Sequence, residues 1–199
     1  MVNIAILASG NGSNFEAITK YLHKKKIARV SLLIYDNPKA YVKVRAEKLK
    51  VKSVFIDPKK FKGRREFEQE IIKTLKKHKI KKIALAGFMR VLSPYFVRQF
   101  PMRIINIHPS LLPAFPGTNA IRKAYQHAVK ITGVTVHFVD EKVDHGPIIW
   151  QESVKISAKD TLKTLEAKIH KVEHRIYPKI VEYFCQAKIK VNKRKVKIG

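Results

Sequence analysis

Five short, largely apolar runs, Val2–Ala8, Val30–Tyr35, Val51–Ile56, Ile83–Ala86 and Ile104–Ile107, lack the strict apolar/polar alternation of a half-exposed strand. A strand that is apolar on both faces must be covered on both. The segments between the runs have helical character. Phe67, Ile71, Ile72 and Leu75 recur at steps of four, one and three, which makes one apolar stripe on a helix. Further helices are expected from the Ser9–Asn14 stretch through Tyr21, and after the turn at Asp36-Asn37-Pro38. This βαβα rhythm predicts an α/β chain with a mostly parallel central sheet and helices on both of its faces.

The last third changes style. Val134–Val139 and Ile148–Val154 flank the polar stretch Asp140–Gly146 and are close enough in sequence to pair as antiparallel neighbours. Leu162, Leu165, Ile169, Val172 and Ile176 step by three and four, predicting a long helix that Pro178 bends. The tail Ile189–Ile198 alternates lysine with apolar residues, as a half-exposed edge strand or an ordered arm would. No repeat or low-complexity linker interrupts the chain. Its 199 residues are read as one domain, 1–199, with halves meeting near residue 100.

Composition bounds the setting. No stretch approaches the roughly 18 unbroken apolar residues of a membrane span, and the N-terminus has no basic segment or cleavage site of a secretory signal. A single cysteine, Cys185, excludes an internal disulfide, so a cytoplasmic setting is expected and membrane association is not. The Asn11-Gly12-Ser13 sequon then carries no glycan. The charge is extreme, with 42 basic against 15 acidic residues and a net charge of +27. That balance attracts anions, nucleic acid among them. The lysines are spread along nearly every segment, however, as on a solvated surface, and no specific nucleic-acid partner is expected.

Ligands of open parallel sheets collect at the carboxyl ends of the strands, and three such places carry unusual polar residues. In Ser9-Gly10-Asn11-Gly12-Ser13-Asn14, two glycines allow a tight turn and the following helix aims free N–H groups outward, which suits a phosphate. It is not the dinucleotide fingerprint, since Phe15 stands where the third glycine belongs, and no Gly-Lys-Ser/Thr follows. A plain strand-to-helix turn would read the same. In Asn106-Ile-His-Pro-Ser-Leu-Leu-Pro113, Asn106 and His108 project to one side of an extended stretch and offer an amide donor beside a titratable imidazole. Taken singly, such a histidine serves equally well as a structural hydrogen-bonder. Asp144, next to a Gly-Pro turn, is either a turn-maker or the charge partner of His108.

His170-Lys-Val-Glu173-His174 matches one zinc-peptidase pattern. Only Glu182 and Cys185 remain beyond it as further ligands, so no metal is expected. Glu173 lies instead along the apolar stripe of its helix, where a carboxylate beside a pocket could bind hydroxyls.

Five stretches in order, Ser9–Asn14, Gly87-Phe-Met-Arg-Val-Leu92, Asn106–Pro113, Gly133–Val139 and Asp144-His-Gly-Pro-Ile148, resemble the phosphoribosylglycinamide formyltransferases, a family of 10-formyltetrahydrofolate-dependent enzymes. The likeness runs from about Met1 to Pro178. It implies a Rossmann-like formyltransferase fold with an antiparallel C-terminal part. The phosphate of the ribonucleotide substrate would rest on Gly12, Ser13 and Asn14, with Glu173 near its ribose hydroxyls. Folate, the formyl donor and cosubstrate, would lie against Met89, Arg90, Val91, Leu92, Asp140 and Val143, with Arg64 reaching its benzoyl-glutamate end. Asn106, His108 and Asp144 match the family's catalytic residues. The small-molecule substrates would be the only partners, and the enzyme a monomer or weak homodimer. Asn119 departs from the histidine common in the family, which puts one side contact in doubt.

The implied chemistry is attack of the glycinamide amine on the formyl carbon. Asn106 and a protonated His108 would stabilise the growing oxyanion, and Asp144 would raise the histidine pKa. Two relatives in the wider class fit less well. The one acting on initiator tRNA carries a further C-terminal β-barrel, and the formyl-folate hydrolase carries an N-terminal regulatory domain; neither addition is expected here. A basic nucleic-acid module would need aromatics among its basic residues or a recognition helix, and would leave Asn106, His108 and Asp144 without a purpose.

Overall fold

A computed structural model describes residues 1–199. The elements run β1 (Val2–Ala8), α1 (Ser13–Lys25), β2 (Ala28–Tyr35), α2 (Val42–Lys48), β3 (Ser53–Phe55), α3 (Arg64–Lys77), β4 (Lys82–Leu85), α4 (Pro94–Gln99), β5 (Ile104–His108), α5 (Ala120–Gln126), β6 (Ile131–Phe138), β7 (Ile148–Lys155), α6 (Leu162–Cys185), β8 (Ile189–Asn192) and β9 (Lys195–Ile198). The first seven strands form one sheet in the order β3-β2-β1-β4-β5-β6-β7. Pairings from β3 to β5 are parallel, while β5–β6 and β6–β7 are antiparallel. The mostly parallel sheet, with helices on both faces and an antiparallel C-terminal part, is the architecture expected.

Both sheet faces are apolar because neighbouring residues of each strand point opposite ways. Ile4, Ile6 and Ala8 of β1 join one core cluster with Phe15, Ile18 and Leu22 of α1 and Leu165, Ile169 and Tyr177 of α6. Ala5 and Leu7 join the other, with Phe67, Ile71 and Leu75 of α3 and Phe96 of α4. β2 keeps this division across a bulge, where the register with β1 jumps between Ile4 and Ala5.

Three local expectations need amendment. The third strand spans Ser53–Phe55 only, because the Val51 N–H closes the end of α2 on the Ala46 carbonyl instead of joining the ladder. The helix begun at Ser13 runs past Tyr21 to Lys25, closed by Lys26 in the left-handed region. The tail is neither an edge of the main sheet nor a single strand: β8 and β9 pair with each other as a separate antiparallel hairpin. Its Ile189, Val191, Val196 and Ile198 pack on the larger core cluster, and Lys190, Lys195 and Lys197 face solvent. α6 continues through Pro178 without a break.

The arrangement places the carboxyl ends of β1, β4 and β5 beside one another at a switch in strand order. β1 leads away to β2 on one side and meets β4 on the other.

Candidate active site

A cavity of about 710 Å³ opens at these strand ends. Its first wall is the Ser9–Asn14 turn. Gly12 has φ +78°, and a Cβ there would lie 2.4 Å from Val42 Cγ2 and 2.9 Å from Val42 Cα, so only glycine fits. The first helical hydrogen bond of α1 runs from Glu16 N–H to Gly12 O, which leaves the N–H groups of Ser13, Asn14 and Phe15 without helical partners. Arg45 holds the turn from outside, donating to Asn11 O and Asn11 Oδ1 at 2.9 Å each and pairing with Glu16.

Glu173, buried on α6, faces that helix start. Its Oε2 accepts from Asn14 Nδ2 at 3.0 Å and contacts His170 Nδ1 at 2.9 Å. The hydrogen bond to Glu173 raises the His170 pKa, whereas burial lowers that of His174. The two rings stack with centroids 6.3 Å apart. His174 Nε2 and Asn14 Oδ1 are both buried without a partner. Buried polar atoms of this kind are uncommon unless a ligand or water completes them. Glu173 is thus shared by an amide and an imidazole, and the zinc-like spacing serves a polar corner of the cavity.

The second wall is apolar. Met89 and Val91 from the turn after β4, and Val143 from the loop after β6, are 68 %, 56 % and 49 % exposed, and all three line the cavity. The turn is braced from behind: Met89 N–H donates to Ser9 Oγ at 2.9 Å, and Arg90 Nε meets Asp36 Oδ2 at 2.5 Å. Arg64 stands apart from this cavity. It lines an adjoining one of about 420 Å³ behind the same turn, where it donates to Val91 O at 2.5 Å and pairs with the buried Glu68 at 3.2 Å.

Between the walls lies the ionisable cluster. On β5 and β6, Ile105, Ile107, Val136 and Phe138 point into the larger core, so the alternate residues Asn106, His108, Thr135 and His137 share the opposite face. Antiparallel register sets Asn106 beside His137, with Asn106 Nδ2 3.3 Å from His137 Nε2. Asp144 arrives from the β6–β7 loop in the left-handed region, φ 49°. Its Oδ2 lies 3.3 Å from His108 Nδ1 and accepts from Gly117 N–H at 2.7 Å, and its Oδ1 lies 3.6 Å from His137 Nε2. His108 Nε2 is 2.9 Å from the Phe115 carbonyl, which fixes a proton on that nitrogen. Below them, Thr135 Oγ donates to Ser110 O at 2.7 Å and accepts from Leu112 N–H at 3.1 Å, bracing the His108–Pro113 turn.

Asp144 pulls the His108 pKa upward, as expected, but it is not the larger influence on the ring. Burial drives the His108 pKa below its usual value, outweighing the upward pulls of Asp144 and of the Phe115 carbonyl. Burial alone would raise the Asp144 carboxyl, but the neighbouring His137 ring, the hydrogen bond from Gly117 N–H and the His108 ring bring it below the ordinary range. Both shifts favour a carboxylate beside a neutral ring.

The structure brings Asn106, His108 and Asp144 together, with Gly12, Ser13, Asn14 and Glu173 at one end of the same cavity and Met89, Arg90, Val91, Leu92, Asp140 and Val143 at the other. His137 was missed. Its signal was a lone titratable residue in the apolar run Val134–Val139, two positions from Thr135.

Comparison with known proteins identifies the class: residues 2–181 match the formyl transferase family model, and the chain belongs to that family. Over 92 % of this chain and 94 % of the relative, it is 46 % identical to phosphoribosylglycinamide formyltransferase of Bacillus subtilis. It is 34 % identical to the enzyme of that name from Escherichia coli, over 96 % of this chain and 91 % of that one. A crystal structure of glycinamide ribonucleotide transformylase 1 from Symbiobacterium toebii superposes with a TM-score of 0.96 at 40 % identity, covering 100 % of this chain and 94 % of that one.

Proposed function

We propose that this enzyme transfers the formyl group of 10-formyltetrahydrofolate to the amine of N1-(5-phosphoribosyl)glycinamide, a step of purine biosynthesis that yields the N-formyl product and tetrahydrofolate. One observation carries the reading. Asn106, His108 and Asp144 meet midway between a helix start suited to phosphate and an apolar wall suited to a flat heterocycle. The resemblance in sequence and fold to enzymes named for this reaction supports it.

In this reading the free N–H groups at Ser13 and Asn14 take the ribonucleotide phosphate, helped by the positive end of α1. Glu173 and the unpartnered His174 Nε2 take the sugar hydroxyls and the phosphate margin. Met89, Val91, Leu92 and Val143 cover the pterin, with Arg90 and Asp140 at its edges and Arg64 at the outer end of the folate. That apolar side chains stand exposed at the cavity fits a heterocycle, since burying them releases water at about 25 cal/mol per Å².

The amine attacks the formyl carbon, a new C–N bond forms, and charge develops on the formyl oxygen. The Asn106 amide donates to that oxygen from a position fixed by β5. His108 enters neutral and takes up the amine proton by way of a water, and Asp144 Oδ2, set against Nδ1, stabilises the imidazolium. The same proton then goes to N10 of the folate as its bond to the formyl carbon breaks. A base held low by burial suits this sequence, because it is unprotonated before attack and charged only beside its carboxylate. The enzyme works in the cytoplasm as a monomer or weak homodimer. No helix is long and apolar enough to cross a membrane, and Cys185 is a free thiol.

The test is absorbance-monitored turnover with both substrates. Wild type should release tetrahydrofolate only when both are present, and His108→Ala should lower kcat by about 10²–10⁴ while still binding each substrate. A pure wild-type preparation that leaves both untouched overturns the reading.

A further inference from the structure

The loop that delivers Asp144 is held from outside by two arginines distant in sequence. From α4, Arg98 forms a paired contact with Glu141, Nε–Oε1 at 2.7 Å and Nη2–Oε2 at 3.0 Å. From the two-residue turn between β8 and β9, Arg194 Nη2 donates to the His145 carbonyl at 2.7 Å. That carbonyl belongs to the residue directly after Asp144. Within the loop, Asp140 Oδ1 accepts from Lys142 N–H at 3.0 Å, and Asp140 Oδ2 lies 2.7 Å from His145 Nδ1. At its exit, a Cβ on Gly146 would fall 1.8 Å from the Phe138 carbonyl, so the loop leaves by one path.

The hairpin is built to reach this point. Its inner residues Ile189, Val191, Val196 and Ile198 pack on the core, which fixes the ribbon, and its turn projects over the mouth of the catalytic loop. The side-chain amines of the other hairpin cations, Lys190, Lys193, Lys195 and Lys197, make no hydrogen bond or ion pair. Arg194 alone is engaged.

We propose that Arg194 is a positioning residue, and that the C-terminal hairpin is a latch on the folate-side loop. By holding the peptide after Asp144, it keeps that residue in its left-handed conformation with the carboxylate toward His108 and His137, and keeps Val143 at the apolar wall. The kinetic part of this inference rests on the formyl-transfer reading above; the structural part does not.

The experiment compares Arg194→Ala, Arg194→Lys and Lys195→Ala in the full chain. Arg194→Ala should raise KM for 10-formyltetrahydrofolate about five- to tenfold, the loss expected of one ordinary, solvent-exposed hydrogen bond. It should lower kcat less, and leave KM for the ribonucleotide and the melting temperature unchanged. Arg194→Lys, which keeps one charged donor, should recover most of the loss, and Lys195→Ala, which removes the same charge one residue away, should behave as wild type. Hydrogen exchange at residues 140–146 should quicken in Arg194→Ala alone. Equal behaviour of Arg194→Ala and Lys195→Ala overturns the latch, as does a parallel rise in both KM values with a fall in melting temperature. If wild type transfers no formyl group yet exchange quickens only in Arg194→Ala, the formyl-transfer reading fails and the latch stands.

Discussion

At the residue scale, Asp144 bears on the pKa of its neighbour. Burial lowers the His108 pKa and the Asp144 charge opposes that fall, so removing the charge lowers it further. In the proposed mechanism the ring must begin neutral, so activity is lost as pH falls through its pKa. In Asp144→Asn the acid limb of the kcat/KM profile should therefore move to lower pH, while the plateau drops by about 10²–10³ because the imidazolium loses its partner. A pH–rate series on the two proteins measures both effects, and a limb moving upward would contradict the account. Gly12 is constrained by space and conformation together. Gly12→Ala must both leave the left-handed region and push Val42 away. It should raise KM for the ribonucleotide at least about tenfold, the loss of one or two charged hydrogen bonds, with KM for the folate unchanged in the same steady-state assay.

At the element scale, β5 and β6 turn one face to the core and the other to the cavity, so their pairing sets the geometry of the site. Thr135 ties this pair to the His108–Pro113 turn, and Gln151 Nε2 of β7 adds a bond to its hydroxyl at 3.0 Å. Thr135→Val keeps the shape but orphans the Leu112 N–H. It should cost about 1–3 kcal/mol of stability, read by denaturant unfolding, together with a fall in kcat. Much of this architecture was legible in the sequence, because apolar strands and stepped helices leave different periods. The polar pair Asn106 and His108 was equally visible, two apart in an extended run. The hairpin was not, since one ten-residue strand and two short antiparallel ones share the same lysine/apolar alternation. The turn signal that would separate them is missing: Lys193 takes the left-handed position, φ 54°, that glycine or asparagine usually marks. Nor could the His108 pKa be read from spacing. Proximity to Asp144 suggested a rise, and only the packing around the ring reveals that burial outweighs it.

At the scale of the whole molecule, the charge of +27 meets a pocket for anionic substrates. Both the self-repulsion and the attraction are long-ranged and screened, over roughly 10 Å at 0.1 M salt and 3 Å at 1 M. Salt should therefore strengthen the fold and weaken substrate binding. Melting temperature should rise with added sodium chloride as repulsion is screened, while KM for the phosphate-bearing substrate rises too and kcat holds. Melting curves and kinetics across the same salt series test this, and a melting temperature that falls with salt would show that ion pairs outweigh repulsion.

The position of β1 has a bearing on the protein's own synthesis. Residues 2–8 are made before their sheet partners yet occupy the middle of the sheet, and their second edge is covered only by Lys82–Leu85. Until that segment has emerged from the ribosome, the nascent chain carries an open apolar strand edge, a ready template for pairing with another chain. The interval between the emergence of residue 8 and that of residue 85 is accordingly the one in which this protein most needs a chaperone at the exit tunnel.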